Sequence, residues 1–428
     1  MKDEVSAAVS PADDAKPQDQ AAAGAQLFSK LLIVSFVLVF SLVALGTIRQ
    51  ESPTIDEPIH LLAGYSYLKW GDYRVNPEHP PLTKILAALP LLALDVKDPR
   101  PTAPEWDQIP KEVPGVPTAK VAAEMFFVQN DAETLFRYGK MPFLFLALLL
   151  GLFVFLWAEE WFGPVAAAAA LVLFATDPNI IAHSTLVHTD MAFTTFFFVG
   201  TYFFQRTLRS GSWLNGWVTC ILFGMAAITK FSAVGIFITW ALIGVVWLFN
   251  GEFRPRGDAA RVFTRSRKFM LMATIFVGMT FTAFGLIWAA YGFRFHAIPG
   301  GGAQWSYAHV MPPNPSALLQ RLVSLATQFR LLPDAWIYGQ LYNVTYLRRT
   351  AFLLGDFSDN GFWLYFPVAL LAKTPVPALL LIALAIINLF TLRKSAKIER
   401  CVLWIPIVVY FTLAVWARMN IGVRHVLP

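Results

Sequence analysis

Apolar residues in this chain are gathered into long runs, and mostly short polar segments separate them. A helix that crosses a bilayer needs about 20 predominantly apolar residues, and nine runs approach or exceed that length. They lie at about residues 31–47, 139–158, 164–182, 186–204, 213–229, 231–249, 269–291, 362–391 and 401–417. The pattern predicts an all-α polytopic integral membrane protein, a bundle of nine transmembrane helices.

Two longer polar segments interrupt the runs and predict large loops on one side of the membrane. The first covers about residues 48–133, and its apolar stretch 82–94 is too short to span, which predicts an interfacial or re-entrant helix. The second covers about residues 292–361. Residues 1–26 contain no aromatic side chain and predict a disordered cytoplasmic tail, followed by one membrane domain at 27–428.

Basic residues are concentrated in the shorter polar segments that are predicted to lie on the side of the membrane opposite these two loops. Cytoplasmic loops carry such an excess, so the bias predicts that the N-terminus is cytoplasmic and both large loops are outside. Glu159 and Glu160, in a segment predicted to be cytoplasmic, are an acidic exception. The basic residues are Arg206, Arg209, Arg254, Arg256, Arg261, Arg265, Arg267, Lys268, Arg393, Lys394, Lys397 and Arg400.

Composition agrees with this class of protein. Hydrophobic residues make up 56% of the chain and charged residues 14%, whereas soluble domains are about a quarter charged. The net charge of +6 does not indicate nucleic-acid binding, because the basic residues lie between apolar runs. Cys220 and Cys401 lie in or beside such runs and are predicted to be membrane-packed thiols rather than a disulfide or a metal pair.

The stretch 54–82, TIDEPIHLLAGYSYLKWGDYRVNPEHPPL, directly follows the first run and concentrates acidic groups at the outer surface. Pro58 favours the first turn of a helix that Asp56 or Glu57 would cap. Prolines on both sides of Glu78 favour an extended approach and exit there. We therefore expect two carboxylate clusters to face each other across a short helix.

Three further ionisable groups lie at the outer ends of apolar runs, where a charge is costly and is a functional candidate. Asp190 opens the fourth span, where it could cap the helix or face a polar cavity. Lys230 lies between two spans and could reach a lipid-linked phosphate or extend to the interface. Arg424, with His425, follows the last span and has the same two interpretations.

Two short spacings in these outer segments could ligate a metal ion. They are Glu57-x-x-His60 and His188-Thr189-Asp190. Each supplies only a fragment of a ligand set. The hypothesis they support is a divalent cation held by Glu78 with His60 or His188.

The order of these features resembles the GT-C class of glycosyltransferases that use polyprenyl-phosphate-linked sugars, in particular protein O-mannosyltransferases and the bacterial aminoarabinose transferase of lipid A. The resemblance covers roughly residues 30–428. It rests on the acidic pair Asp56-Glu57, the turn PEHPPL at 77–82, Asp190 at the start of a span, Thr229-Lys230, YFPVALLAKTP at 365–375 and RHVLP at 424–428. Members continue with further spans, so the resemblance implies that the sequence is truncated at its C-terminus.

This resemblance implies a glycosyltransferase of the plasma (inner) membrane with its active site on the periplasmic or extracytoplasmic face. Its donor would be a polyprenyl-phosphate sugar held among membrane lipids, and its acceptor a protein, lipid or glycan. Asp56 would be the general base, with Glu57 and Asp190 as further catalytic candidates. The implied substrate-binding residues are His79, which replaces a lysine usual in the aminoarabinose enzymes, Lys230, Arg424 and His425. Glu78 would bind a metal or position the phosphate.

Two other classes of function remain open at this point. A transporter or flippase would also carry charges in its membrane region, but it predicts internal repeats and polar residues at helix midpoints, and neither is evident. A scaffold protein without catalytic activity would leave Asp56, Glu78 and Asp190 dispensable.

Overall fold

A computed structural model describes the fold of most of the chain. The described residues are 17–109, 116–250, 252–253, 262–300, 307–346, 350–391, 397–420 and 422–426. The helices are α1 (Pro17–Gln50), α2 (Glu57–Trp70), α3 (Leu82–Ala88), α4 (Val116–Ala123), α5 (Ala132–Phe162), α6 (Pro164–Thr176), α7 (Pro178–His183), α8 (Thr189–Ser210), α9 (Trp213–Ala227), α10 (Val234–Phe249), α11 (Arg265–Ala290), α12 (Ala317–Gln328), α13 (Asp334–Thr345), α14 (Tyr365–Lys373), α15 (Val376–Thr391) and α16 (Lys397–Ala417). One antiparallel hairpin pairs β1 (Ala351–Leu353) with β2 (Asp356–Ser358).

The first helix begins earlier than the sequence pattern indicates. Residues 17–26, assigned to a disordered tail, form the first turns of α1, because the segment is rich in alanine and glutamine, which favour helix. Residues 1–16 of that tail lie outside the described part of the chain.

Five helices in the described part of the chain are long and apolar enough to cross a membrane, so the predicted count of nine is not confirmed. The run at 164–182 divides into α6 and α7 at Asp177-Pro178, and the run at 362–391 divides into α14 and α15 at Thr374-Pro375. Proline cannot donate the helical hydrogen bond and disfavours helix at the preceding residue. The five spans are Gly24–Gln50, Ala132–Phe162, Phe231–Phe249, Arg265–Ala290 and Glu399–Ala417.

Helix α8 has the length of a span but not its composition. At 22 residues it is about 33 Å long, close to the hydrocarbon thickness of a bilayer. It packs against α5 and α9, so threonines and a glutamine are buried along it. Thr201 accepts a hydrogen bond from Trp240 Nε1 at 3.0 Å, and the Trp240 ring stacks on Phe204. Protein rather than lipid surrounds this helix, which explains its low hydropathy.

The two ends of α8 carry different polar clusters, one that contains an aspartate and one that contains two arginines. Asp190 lies in its first turn, whereas Arg206 and Arg209 lie near its last turn and pair with Glu160 of α5. Glu159 accepts a hydrogen bond from Ser29 Oγ at 2.5 Å. The acidic exception to the charge bias therefore has local partners at the arginine end of the bundle.

The described parts of the two long polar segments, about residues 48–133 and 292–361, fold into a layer of short helices over the end of the bundle that carries Asp190; they are called the first and second outer segments after their predicted side of the membrane. Gly64 of α2 is required by the close approach of α3, because a Cβ atom there would lie 1.8 Å from the carbonyl oxygen of Lys84. Hydrogen bonds join the second outer segment to this layer. Tyr73 N donates to Ala297 O at 2.8 Å, and Asn343 Nδ2 donates to Glu78 O at 2.6 Å.

Thiol labelling tests this arrangement. Single cysteines at Ile55 and Val262, whose side chains are highly exposed, are expected to react with an impermeant reagent from opposite sides of the membrane. The background lacks the two native cysteines, which are free thiols. Mass spectrometry of sealed right-side-out and inside-out vesicles is the measurement, and labelling of both positions from the same side would contradict the predicted orientation.

Candidate functional site

An open cavity lies between the outer layer and the first turn of α8. Its empty volume, including the part open to solvent, is about 640 Å³. It joins residues that are far apart in sequence, from both outer segments, α8 and the last described turn. The lining residues are Asp56, Ile59, His60, Asn76, Glu78, His79, His188, Thr189, Asp190, Asn343, Met419 and Arg424.

Asp56 occupies the N-cap position of α2, but its side chain makes no capping hydrogen bond. Its backbone is already helical, with φ of −81° and ψ of −29°, whereas a capping residue is typically extended, and Pro58 at the second helical position has no N–H to donate. Glu57 instead reaches back to accept from Thr54 N at 2.7 Å. The Asp56 carboxylate is therefore directed toward the cavity and remains 46% exposed. Its Oδ2 accepts from Arg424 Nη2 at 3.3 Å.

Arg424 lies between two carboxylates of the cavity. Its guanidinium donates to Asp56, and its Nε lies 3.9 Å from Asp190 Oδ2. The side chain is 26% exposed, so it can still reach a ligand. His425 shares its short helical turn, Val423–Val426, but the side chain of His425 lies outside the described part of the structure.

Asp190 forms a buried ion pair with Lys230, whose Nζ lies 2.6 Å from Asp190 Oδ1. Burial by itself would lower the pKa of Lys230, but the Asp190 carboxylate outweighs that effect and raises the pKa. Lys230 is therefore charged and lies directly behind the cavity wall. Neither sequence interpretation of Lys230 foresaw this partner, although the costly position of both groups in apolar surroundings was the available signal.

His188 is the N-cap of α8, and its hydrogen bonds determine the position of its ring proton. Nδ1 accepts from Asp190 N at 3.0 Å, so the neutral ring carries its proton on Nε2, which lies 3.0 Å from His183 Nδ1. Burial lowers the pKa of His188 to about 3, so the ring is neutral at physiological pH. Both nitrogens of His188 therefore have partners: Nδ1 caps α8, and Nε2 contacts the last residue of α7.

Substitution of His188 tests this capping role. We expect His188→Asn to keep the stability of wild type, because asparagine is among the best N-cap residues, and His188→Ala to lose about 1 kcal/mol. Thermal denaturation of the purified protein in detergent is the measurement, with transfer activity followed in parallel. Equal loss of stability in both variants would contradict a capping role.

Glu57, predicted to be catalytic, is instead fully buried and does not line the cavity. Its Oε1 accepts from Val187 N at 2.9 Å and lies 3.7 Å from Lys140 Nζ. With the bond from Thr54 N, the carboxylate joins the turn before α2, the segment before α8 and helix α5. This geometry indicates a structural role for Glu57. The sequence alone gave no reason to assign different roles to Glu57 and its neighbour Asp56.

Glu78 and two histidines also line the cavity. Asn76 Nδ2 donates to Glu78 Oε1 at 2.8 Å, and the rings of His60 and His79 are 5.7 Å apart. Burial lowers the pKa of His60 to about 4 and that of His79 well below its ordinary value. Both rings are neutral at physiological pH, so they offer hydrogen bonds rather than positive charge.

The donor set does not fit the predicted divalent-cation site. In the ranges that the structure describes, no group of three or more His, Cys, Asp or Glu side chains is arranged to hold a metal ion. His188 has both nitrogens engaged, and so cannot join Glu78 and His60 as a ligand without losing the α8 cap. No chemical step is therefore assigned to a metal.

Three contributors to the site were missed by sequence reasoning. Asn343 brings α13 to the cavity wall, Asn76 contacts Glu78, and Lys140 supports Glu57. Lys140 begins an apolar run inside α5, which was an available signal of a partnered charge. The two asparagines carry no such signal, because polar uncharged residues are common in loops and amphipathic helices.

Comparison with known protein families gives a match. The sequence profile of the family described as dolichyl-phosphate-mannose-protein mannosyltransferase matches residues 140–288. The matched region contains Asp190 and Lys230, but neither Asp56 nor Arg424. No curated protein and no solved structure matches the chain. Over less than half of its length, with a bundle of apolar helices, the chain is similar to a family of mannosyltransferases.

Proposed function

We propose that the protein is a membrane glycosyltransferase of the GT-C type, which transfers a sugar from a polyprenyl-phosphate donor to an acceptor hydroxyl at the outer face of the membrane. The single observation that carries this proposal is the cavity in which an accessible carboxylate, Asp56, lies beside an accessible guanidinium, Arg424. A glycosyl transfer that expels a phosphate needs both, a base for the acceptor and a cation for the leaving group.

The reaction assigned to this cavity is an in-line displacement at the anomeric carbon. The acceptor oxygen forms a bond to that carbon as the bond to the phosphate oxygen breaks, and the phosphate leaves with the electron pair. Asp56 takes the proton of the acceptor hydroxyl. Arg424 binds the departing phosphate, since a planar guanidinium matches phosphate oxygens in pairs.

Asp190 and Lys230 support this charge arrangement from behind the wall. Lys230 supplies a buried positive charge 2.6 Å from Asp190, which lies near Arg424. The low dielectric around this buried pair strengthens the effect of such a fixed charge on a developing phosphate. Asp190 is therefore assigned to orienting the two cations rather than to proton transfer.

The remaining wall suits a polar, uncharged part of the donor. Glu78, Asn343 and the neutral rings of His60 and His79 offer several hydrogen-bonding groups close together. Sugar hydroxyls both donate and accept hydrogen bonds, so this wall is assigned to the sugar. The lipid chain of the donor would remain in the bilayer beside the apolar helices.

The match to the mannosyltransferase profile supports a transferase, and the positive-inside bias supports an outer active site. The membrane we propose is the plasma (inner) membrane, with the cavity on the extracytoplasmic side. The acceptor is a protein, lipid or glycan that presents a hydroxyl group there.

A transfer assay tests the proposal. Purified protein in lipid nanodiscs is supplied with undecaprenyl-phosphate carrying a radiolabelled sugar, together with an extract of cell-surface acceptors. We expect label to move from the lipid to an acceptor, and the corresponding glycan to disappear from the surface of a deletion strain, as seen by mass spectrometry. If lipid-linked sugars redistribute across vesicle membranes without any transfer, the transporter interpretation replaces this one.

A further inference from the structure

Lys84 is a lysine with no exposed surface in the short, mostly apolar helix α3. A buried ammonium group is costly unless every proton has an acceptor. The sequence pattern assigned this helix to the membrane interface but gave the lysine no role. Its surroundings therefore require an explanation beyond packing.

Four oxygen atoms surround the Lys84 ammonium group. Nζ lies 2.5 Å from Asn76 O, 2.6 Å from His79 O, 2.9 Å from Tyr67 Oη and 3.2 Å from Asn76 Oδ1. Three of these acceptors belong to the turn between α2 and α3. Because an ammonium has three protons, the four oxygens saturate it and leave nothing to offer a ligand.

Asn76 connects this ammonium to the cavity. Its Oδ1 faces Lys84, which leaves its Nδ2 to donate to Glu78 Oε1 at 2.8 Å. The orientation of an amide group is set by its hydrogen bonds, so the lysine determines which end of the side chain meets Glu78. Asn76 also has a φ of 50°, a left-handed conformation that asparagine tolerates better than most residues.

We propose that Lys84 is a positioning residue that acts through Asn76: it orients the Asn76 amide, which in turn holds the Glu78 carboxylate against the cavity wall. The role of Glu78 toward a sugar rests on the proposed function, but the coupling of the three side chains does not. Lys84 itself does not line the cavity, so it is not assigned to the phosphate.

Chemical labelling of carboxylates tests the coupling without any transfer reaction. Wild type and Asn76→Gly are treated with a water-soluble carbodiimide and glycine ethyl ester, and modification of Glu78 is measured by mass spectrometry relative to Asp56. Glycine accepts the left-handed backbone and preserves Asn76 O as an acceptor for Lys84, so the turn should remain folded. We expect several-fold faster modification of Glu78 in Asn76→Gly and in Lys84→Met. An unchanged ratio in the folded Asn76→Gly protein would overturn the proposal.

A double-mutant cycle gives a second test in the transfer assay. Asn76→Gly and Glu78→Gln are each expected to raise the donor KM about tenfold, which corresponds to the loss of one hydrogen bond to a charged group. The donor KM of the double variant should be no higher than that of Glu78→Gln alone. Asn360→Gly, in an exposed turn of the second outer segment, is the matched control. Additive effects of Asn76→Gly and Glu78→Gln would show independent roles and overturn the proposal, whereas failure of wild type to transfer sugar would count only against the proposed function.

Discussion

Asp56→Asn is expected to lower the rate of sugar transfer by about 10²- to 10⁴-fold, the usual contribution of a positioned general base. The amide keeps the shape of the side chain and can still accept a hydrogen bond from Arg424, but it cannot take a proton from the acceptor. Donor binding should persist, because the change removes a negative charge near a phosphate site.

The same variant should fold as wild type does. The Asp56 side chain is 46% exposed and makes no capping bond to α2, so its replacement leaves no buried group without a partner. Asparagine is also favourable at an N-cap position. The expected loss is therefore in the rate of transfer and not in the amount of folded protein.

The measurement compares turnover and donor binding for purified wild type and Asp56→Asn in nanodiscs. Glu51→Gln, an exposed carboxylate five positions earlier, is the matched control and should retain full activity. Near wild-type turnover by Asp56→Asn would end the assignment of the base. Loss of donor binding together with turnover would make Asp56 a structural residue.

Glu57→Ala has the second large expected effect, a loss of about 3–5 kcal/mol in stability, as is typical when one member of a buried ion pair is removed. The change would leave the Lys140 ammonium buried, with 1% of its side chain exposed, and would remove the acceptor used by Thr54 N and Val187 N. Three elements around the cavity would lose their common contact. Activity should fall because the site is not assembled.

Replacing Lys140 with an uncharged residue separates the cost of the unpaired charge from the cost of the lost hydrogen bonds. Lys140→Met in the Glu57→Ala background removes the unpaired charge, so the double variant should recover part of the lost stability. Thermal denaturation in detergent, read by the loss of monodisperse protein, is the measurement. If Glu57→Ala were as stable as wild type but inactive, Glu57 would be catalytic after all.

The sequence predicted an all-α membrane protein and named several of the side chains that line the cavity, but it did not give the surroundings of each residue. Hydropathy identified α1, α5, α10, α11 and α16 because these helices are long and apolar and the protein buries less than half of each. It gave no reason to separate Asp56 from Glu57, since the difference between them is burial and hydrogen bonding, which arise only when α5 and the segment before α8 pack against α2.

The other features of the site that the sequence did not predict are contacts between segments distant in the chain. Asn343 reaches Glu78 from a separate outer segment, and Arg424 reaches Asp56 from the last described turn. Such contacts depend on tertiary packing, and no periodicity within either segment predicts them. The His188 ring was a plausible metal ligand by spacing, but the local backbone of α8 uses its nitrogens first.

The polar interior of α8 has a consequence for how the protein is made. A segment with buried threonines and a glutamine partitions less readily from the translocation channel into lipid than its neighbours do. α5 is strongly apolar and contacts α8, as does α9, so these helices provide the surface that shelters its polar groups. We therefore expect α8 to remain in the translocation channel during synthesis until α9 has emerged, so that the two helices enter the lipid together.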